Sequence, residues 1–218
     1  MKFKVLYEDK DILAVNKSPG LSVQPDTTGS GSLFQALSEE TGYLGLVHRI
    51  DKPASGIVLM AKNKQALADL NAQIQNKLME KIYWAVVCRP PPYKEGICIH
   101  YLEKNGRKNK SYAYEEMKKG RKKAELHYRV AGLSEKYTFL EILLITGRHH
   151  QARCQLSAIG CPVKGDIKYG APRTNHGGGI HLHSRTIRFS HPRTEKSVEI
   201  LAEPPADVLW DLFLKCNV

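Results

Sequence analysis

Along most of the chain apolar and polar positions alternate in short runs, and a period of three or four residues replaces that alternation in only a few segments. Val5 to Tyr7 and Ile12 to Val15 flank the charged Glu8-Asp9-Lys10-Asp11 and predict an opening hairpin, after which Ser18-Pro19-Gly20 turns the chain. A short helix is expected from Ser32 to Thr41, with Leu33, Phe34 and Leu37 on one side and Gly42 as its stop. Two apolar strands follow, Leu44 to Ile50 and Gly56 to Lys62. The clearest helix spans Lys64 to Glu80, capped by Asn63. Its Leu67, Leu70, Ile74 and Leu78 recur at helical spacing and form a stripe that would face a sheet.

Ile82 to Cys88 and Ile97 to Tyr101 read as strands parted by the stiff Arg89-Pro-Pro-Pro-Tyr93. Ser111 to Met117, Ala124 to Val130 and Tyr137 to Ile145 continue the series. A further helix is expected from His149 to Ile159, closed by Gly160 with Pro162 beyond it. Gly177-Gly178-Gly179 marks a loop, Thr186 to Ser190 and Ser197 to Leu201 are strands, and Pro205 opens a terminal helix. Many consecutive strands with few helices predict an α+β fold: a mixed, largely antiparallel β-sheet with flanking helices, in one domain over residues 1–218.

Composition narrows the class. With 42% hydrophobic and 25% charged residues in 218, the chain is neither disordered nor membrane-spanning in character. Its net charge of +11 is uneven. Between Lys104 and Lys123 nine basic residues stand against only Glu115 and Glu116, so the hairpin region 101–124 predicts a polyanion partner, most simply nucleic acid. Five widely spaced cysteines, Cys88, Cys98, Cys154, Cys161 and Cys216, form no Cys-x-x-Cys pair and suit buried thiols in a reducing, cytoplasmic setting. The N-terminus is charged too early for a signal peptide, and no run approaches the roughly 20 apolar residues of a membrane span.

No phosphate-binding glycine loop, dinucleotide fingerprint or nucleophile elbow is present. His181-x-His183 and His149-His150 lack nearby carboxylates or cysteines to complete a metal site, so no metal or cofactor is expected. Two polar clusters interrupt apolar surroundings. In His48-Arg49-Ile50-Asp51-Lys52-Pro53-Ala54-Ser55-Gly56, Pro53 and Gly56 force a turn that would put Asp51 at a strand end. Flanked by Arg49 and Lys52, it would stay ionised and able to act as a nucleophile. The plainer alternative is an Asp that caps its turn within a surface ion pair. In Thr146-Gly147-Arg148-His149-His150-Gln151-Ala152-Arg153 a strand becomes a helix, and Arg148, Gln151 and the first helical amides could seat a phosphate. An exposed charged first turn is the alternative, although arginine is not what a helix N-terminus favours unless an anion lies near it.

The first cluster closely resembles the His-Arg-Leu-Asp-x-x-Thr-Ser-Gly signature of RluA-type pseudouridine synthases. Gly147-Arg148-His149-His150-Gln151-Ala152-Arg153, followed by Gly165-Asp166-Ile167-Lys168-Tyr169-Gly170, is similar to that family's Gly-Arg-Thr-His-Gln-Ile-Arg and Gly-Asp-x-x-Tyr-Gly run. Lys81-Ile82-Tyr83-Trp84-Ala85-Val86-Val87 resembles its Lys-x-Tyr-x-Ala-x-Val strand. The resemblance implies the pseudouridine synthase fold and isomerisation of uridine to pseudouridine in ribosomal or transfer RNA, without cofactor. Asp51 matches the family's catalytic aspartate, Tyr83 the tyrosine that stacks on the target base, and Arg153 the arginine paired with the aspartate. Arg49 matches the arginine associated with base flipping.

His48, Arg148, His150 and Gln151 in the two clusters, with Lys108, Lys110, Arg121, Lys122 and Lys123 in the basic hairpin, complete the expected RNA contacts. Tyr101, Tyr112 and Tyr114, interleaved with those charges, would add a stacking surface. Ala54, His149 and Ala152 depart from the family pattern and imply a locally repacked helix start. A monomer without the S4-type RNA-binding module of many relatives is expected. Two other readings stay open: a catalytically silent RNA-binding module on the same fold, indifferent to Asp51, and a metal-dependent nuclease, which would need more acidic ligands than Asp51 and the distant Asp166.

Overall fold

The computed structural model describes residues 2–25 and 31–216. Its first elements are β1 (Phe3–Glu8), β2 (Ile12–Lys17), α1 (Leu33–Thr41), β3 (Gly45–Leu46), β4 (Ser55–Ala61) and α2 (Lys64–Gln75). Then come β5 (Glu80–Val87), β6 (Glu95–Asn105), β7 (Lys110–Tyr114), β8 (Lys122–Leu133), β9 (Thr138–Leu144) and α3 (Gln151–Ala158). A single 3-10 turn at Ile167–Tyr169 precedes β10 (Leu182–Ser190), β11 (Ser197–Leu201) and α4 (Val208–Cys216). Two compact units result, Met1–Lys81 with His183–Pro205 and Ile82–Leu182 with Ala206–Val218.

In the first unit the strands run β1-β2-β4-β10-β11, with β3 added to β4. All these pairs are antiparallel except β4 with β10, which run parallel and set Ser55 opposite His183 and Gly56 opposite Ser184. Every residue of β4 is buried. Its Ile57, Leu59 and Ala61 join Ile12 and Ala14 of β2 and Ala66 and Leu70 of α2 in one apolar cluster. Leu13, Val15, Val58 and Met60, one position out of phase, are buried as well, which explains why these strands read as near-continuous apolar runs.

The second unit orders its strands β5-β9-β8-β6-β7, all antiparallel. On one face Trp84, Val86 and Phe139 pack under Trp210 and Phe213 of α4, with Trp84 and Phe213 edge to face at 4.5 Å. Elsewhere in the unit Leu102 and Ala124 pack with Cys154 of α3 and with Tyr169. Mixed, mostly antiparallel strands with four α-helices among the described residues make this the expected α+β class.

Several boundaries differ from the sequence expectation. The strand expected at Leu44 to Ile50 shrinks to Gly45–Leu46, because the His48 ring nitrogen Nε2 accepts the Leu59 N–H at 3.2 Å, where a longer β3 would have offered a carbonyl. Helix α2 keeps its Asn63 cap, whose side chain accepts the Ala66 N–H at 2.8 Å, but stops at Gln75. Lys77 is left-handed at φ 58° and Leu78 is 69% exposed, so the last apolar residue of the apparent stripe lies outside the helix. Helix α3 begins at Gln151, two residues after the expected start.

Candidate active site

In the first unit Asp51 begins a tight turn closed by the Ala54 N–H on the Asp51 carbonyl at 3.0 Å. Asp51 is half-buried and Arg49 exposed, the latter donating to Gln24 Oε1 at 3.1 Å. The residues after the turn are fixed from behind. Ser55 Oγ lies 2.8 Å from His183 Nδ1, and His183 Nε2 lies 2.9 Å from the Ala202 carbonyl. The carbonyl requires the proton on Nε2, so the Ser55 hydroxyl donates to Nδ1. Desolvation holds His183 down at about 4, and therefore neutral.

Gly56 sits at φ +111°, and a Cβ there would lie 2.3 Å from the Ser184 oxygen. Only glycine allows this turn to run directly into the parallel β4–β10 pair. Beneath the turn, Lys17 Nζ donates to the carbonyls of Ala54 at 2.7 Å, Ser18 at 2.9 Å and Lys52 at 3.3 Å. The Lys52 carbonyl also accepts the Gly20 N–H at 2.8 Å, which docks the Ser18-Pro19-Gly20 turn against the Asp51 turn. His48 is pushed down to about 3, first by desolvation and then by the charge of Lys81, so its ring is neutral and serves the backbone of β4.

In the second unit Tyr83 is buried on β5 opposite Ile142. Arg153 on α3 is 4% exposed and forms a two-point pair with Asp166, Nε to Oδ2 at 2.6 Å and Nη2 to Oδ1 at 2.9 Å, with its guanidinium 5.0 Å from the Tyr169 ring centre. Such a fork fixes the plane of the guanidinium as well as its position. The start of α3 has no side-chain cap: His150 is left-handed at φ 52°, costly for a residue with a Cβ. Its ring stacks on His149 at 3.8 Å and lies 3.0 Å from the Tyr169 hydroxyl, which accepts the Ser111 N–H at 2.8 Å. His149 bridges Ser111 Oγ at 2.9 Å and Asn109 Oδ1 at 3.1 Å, tying the helix start to the β6–β7 hairpin. Gln151 is buried, its Oε1 taking the Arg148 N–H at 2.9 Å and its Nε2 donating to the Glu125 carbonyl at 3.0 Å.

The basic residues divide by exposure. Lys104, Arg107, Lys108, Lys118, Lys119, Lys122 and Lys123 stand in solvent, and exposed Arg148 joins them by donating Nε to the Lys123 carbonyl at 3.0 Å. Arg121 and Lys110 are half-buried, lying 3.5 Å from the Tyr114 ring centre and 5.6 Å from that of Tyr112. Tyr112 and Tyr114 project on the same face as Tyr101, which pairs with Tyr114 on one side and Lys123 on the other.

Asp9, Asp11 and His191 bring ligand-type atoms within 4.8 Å of one another. These atoms are already engaged: Asp9 accepts the N–H groups of Asp11 and Ile12 and the Tyr7 hydroxyl, and meets His191, while Asp11 accepts from Asn63 and Arg193. The cluster closes the β1–β2 turn and needs no cation to do so. Cys98, Cys154 and Cys161 are buried, and burial pushes each thiol up to about 11, far from nucleophilic. Among the described residues no helix is long and apolar enough to cross a membrane.

Local sequence patterns do not single out Lys17 or Tyr169, and they mark Asp166 only as a distant acid. A lysine ending an otherwise apolar strand is the available signal for the first. The Gly-Asp-x-x-Tyr-Gly run carries the other two.

The chain matches the model of a family described as RNA pseudouridylate synthase over residues 11–158. It is 35% identical to the uncharacterised RNA pseudouridine synthase YlyB of Bacillus subtilis, over 95% of this chain and 71% of that one. It is 32% identical to ribosomal large subunit pseudouridine synthase C of Buchnera aphidicola, over 97% of this chain and 69% of that protein. In fold it is similar to human RNA pseudouridylate synthase domain containing 4, with a TM-score of 0.78 over 98% of this chain and 92% of that one at 22% identity. A signature built into the Asp51 turn, a family model spanning two thirds of the sequence and relatives aligned over nearly all of this chain have one reading: the chain belongs to the RluA-type RNA pseudouridylate synthases and is an RNA pseudouridine synthase, an isomerase.

Proposed function

We propose that this protein converts specific uridines of ribosomal RNA to pseudouridine with Asp51 as the nucleophile at the sugar, Tyr83 as the platform for the target base and Arg153 as the cation that orients the aspartate. The glycosidic carbon–nitrogen bond breaks, the base rotates, and a carbon–carbon bond forms within the same nucleotide, so no co-reactant is consumed. Arg49, exposed beside Asp51, enters the space left by the flipped nucleotide. The ribosomal substrate is favoured over transfer RNA by the name of the Buchnera relative.

The observation that carries this reading is the Asp51 turn, in which half-buried Asp51 stands on a backbone fixed by Lys17, the Ser55–His183 contact and Gly56. A nucleophile held this way has little orientational freedom left to lose at the moment of reaction. The exposed charges of the β6–β7 hairpin with Arg148 hold the RNA backbone, and the three tyrosines offer faces to unpaired bases. His48, His150 and Gln151 act from beneath, shaping the loops that meet the RNA.

The test is transcriptome-wide pseudouridine mapping in cells lacking the gene, complemented by wild type or Asp51→Ala. One or a few ribosomal sites should disappear, return with wild type and stay absent with Asp51→Ala. Restoration by Asp51→Ala would overturn the nucleophile assignment, and sites confined to transfer RNA would overturn the substrate.

A further inference from the structure

His149 stands where the β6–β7 hairpin meets the start of α3. Four positions before Arg153, it is half-buried in the turn that leads into the helix. Ser111 of β7 donates its hydroxyl proton to the His149 carbonyl at 2.8 Å. A hydroxyl has one proton, so the 2.9 Å contact between Ser111 Oγ and His149 Nδ1 is donated by the ring. Nε2, on the far side of the ring, lies 3.1 Å from the Asn109 side chain. Asn109 is left-handed at φ 43° and closes the turn 106–109 by donating its N–H to the Gly106 carbonyl at 3.2 Å. That turn displays Arg107 and Lys108 to solvent.

From the other side the His149 ring stacks on that of His150 at 3.8 Å, and His150 reaches the Tyr169 hydroxyl, which accepts the Ser111 N–H. The four residues close a circuit, and the Arg153 guanidinium lies against it, 5.0 Å from the Tyr169 ring centre. Helix α3 has no side-chain cap and His150 is left-handed, so the circuit holds the helix start where a cap otherwise would.

We propose that His149 is a positioning residue that keeps the RNA-holding turn 106–109 in register with Arg153, so that RNA seated on the hairpin brings its uridine to a guanidinium already in place. The proposal rests on the reading that the hairpin holds RNA and that Arg153 orients Asp51. A histidine that served the helix start alone has what it needs in Ser111 and His150. The contact with Asn109 goes further, to an exposed turn whose charges meet the RNA.

The test is His149→Phe, which keeps the ring and its stack and removes both ring hydrogen bonds. RNA affinity should stay within about twofold of wild type while the single-turnover rate constant at saturating enzyme falls about tenfold, since a misplaced reacting group slows the reaction without loosening the RNA. Asn109→Gly suits the left-handed backbone and removes the contact with the turn. It should slow the reaction by a similar factor, and the double variant should be no slower than His149→Phe, because both cut one connection. A wild-type rate constant in Asn109→Gly, losses that multiply in the double variant, or a loss confined to affinity would overturn the proposal. If His149→Phe does not fold, Asn109→Gly decides alone.

A second measurement needs no turnover. The buried Arg153 Nε–H, bonded to Asp166 at 2.6 Å, should exchange with water several-fold faster by 15N NMR in either variant, at unchanged melting temperature. Unchanged exchange overturns the proposal. A wild-type protein that forms no pseudouridine counts instead against the proposed function, while the exchange still decides whether the turn and the guanidinium are tied.

Discussion

Behind the Asp51 turn the polar groups are buried and bonded: Lys17 to three carbonyls, Ser55 to His183, and His183 to the Ala202 carbonyl. Along β6, β7 and the start of β8 the opposite holds, with Lys104, Arg107, Lys108, Lys122 and Lys123 exposed to solvent. The first region gains its order from desolvated contacts that are hard to break. The second is a field of solvated cations whose pairwise energies are small and salt-screened, and which acts collectively on a polyanion. The contrast suggests a division of labour in which precise placement serves the nucleophile and charge holds the RNA. That division can be attacked from either side.

The largest effect should come from Gly56→Ala. A Cβ placed 2.3 Å from the Ser184 oxygen and 2.5 Å from its nitrogen, at φ +111°, must displace the β4–β10 pair. Denaturant unfolding should show a loss of about 4 kcal/mol or no folded protein. Asp166→Asn comes next. It removes the carboxylate fork on buried Arg153, and the same measurement should report a loss of about 3 kcal/mol. A loss below about 1 kcal/mol would mean that the guanidinium is held without Asp166.

His183 gives a smaller, pH-dependent effect. Its folded-state value near 4 lies below the ordinary 6.5, so the unfolded chain binds the proton first as pH falls. The neutral ring's contribution is therefore complete above pH 6.5 and is lost between 6.5 and 4. At about pH 5 the deficit is about 2 kcal/mol, and stability curves of His183→Asn should be flatter than wild type over that interval by this amount. On the other side of the comparison, reversing Lys108, Lys122 and Lys123 together should weaken RNA binding about tenfold at low salt and flatten its salt dependence, with thermal stability unchanged. Affinity unchanged at several salt concentrations would remove the hairpin from the docking surface.

How much of the molecule is legible in its sequence follows the same contrast. Strand β8 is readable because buried Ala124, Leu126 and Tyr128 alternate with more exposed residues, β5 because it is a bounded apolar run, and Ser32, Asn63 and Gly42 mark helix ends by their own chemistry. Asp51 and the basic hairpin are visible because short-range sequence carries them: one is a motif, the other a charge run. What holds the site is not visible. Lys17 and Ala54 are 37 positions apart and Ser55 and His183 are 128 apart. No local pattern announces a pairing across such distances. The shortened β3 escapes prediction for a related reason, since a His48 side chain takes a bond that strand propensity assigns to backbone. Leu78 misleads because periodicity continues past a helix end that left-handed Lys77 enforces.

The central proposal is that Asp51 governs the reaction rate while the exposed hairpin charges govern RNA affinity, and one paired measurement reaches it most directly. Single-turnover rate constants at saturating enzyme and equilibrium RNA affinities would be taken for wild type, Asp51→Asn and the three-charge hairpin variant on the same RNA. The account predicts a rate lowered by at least about 10⁴-fold with affinity intact for Asp51→Asn. It predicts weakened affinity with a wild-type rate constant at saturation for the hairpin variant. A hairpin variant that binds normally but reacts slowly, or an Asp51→Asn protein that still forms pseudouridine at the wild-type rate, would contradict it.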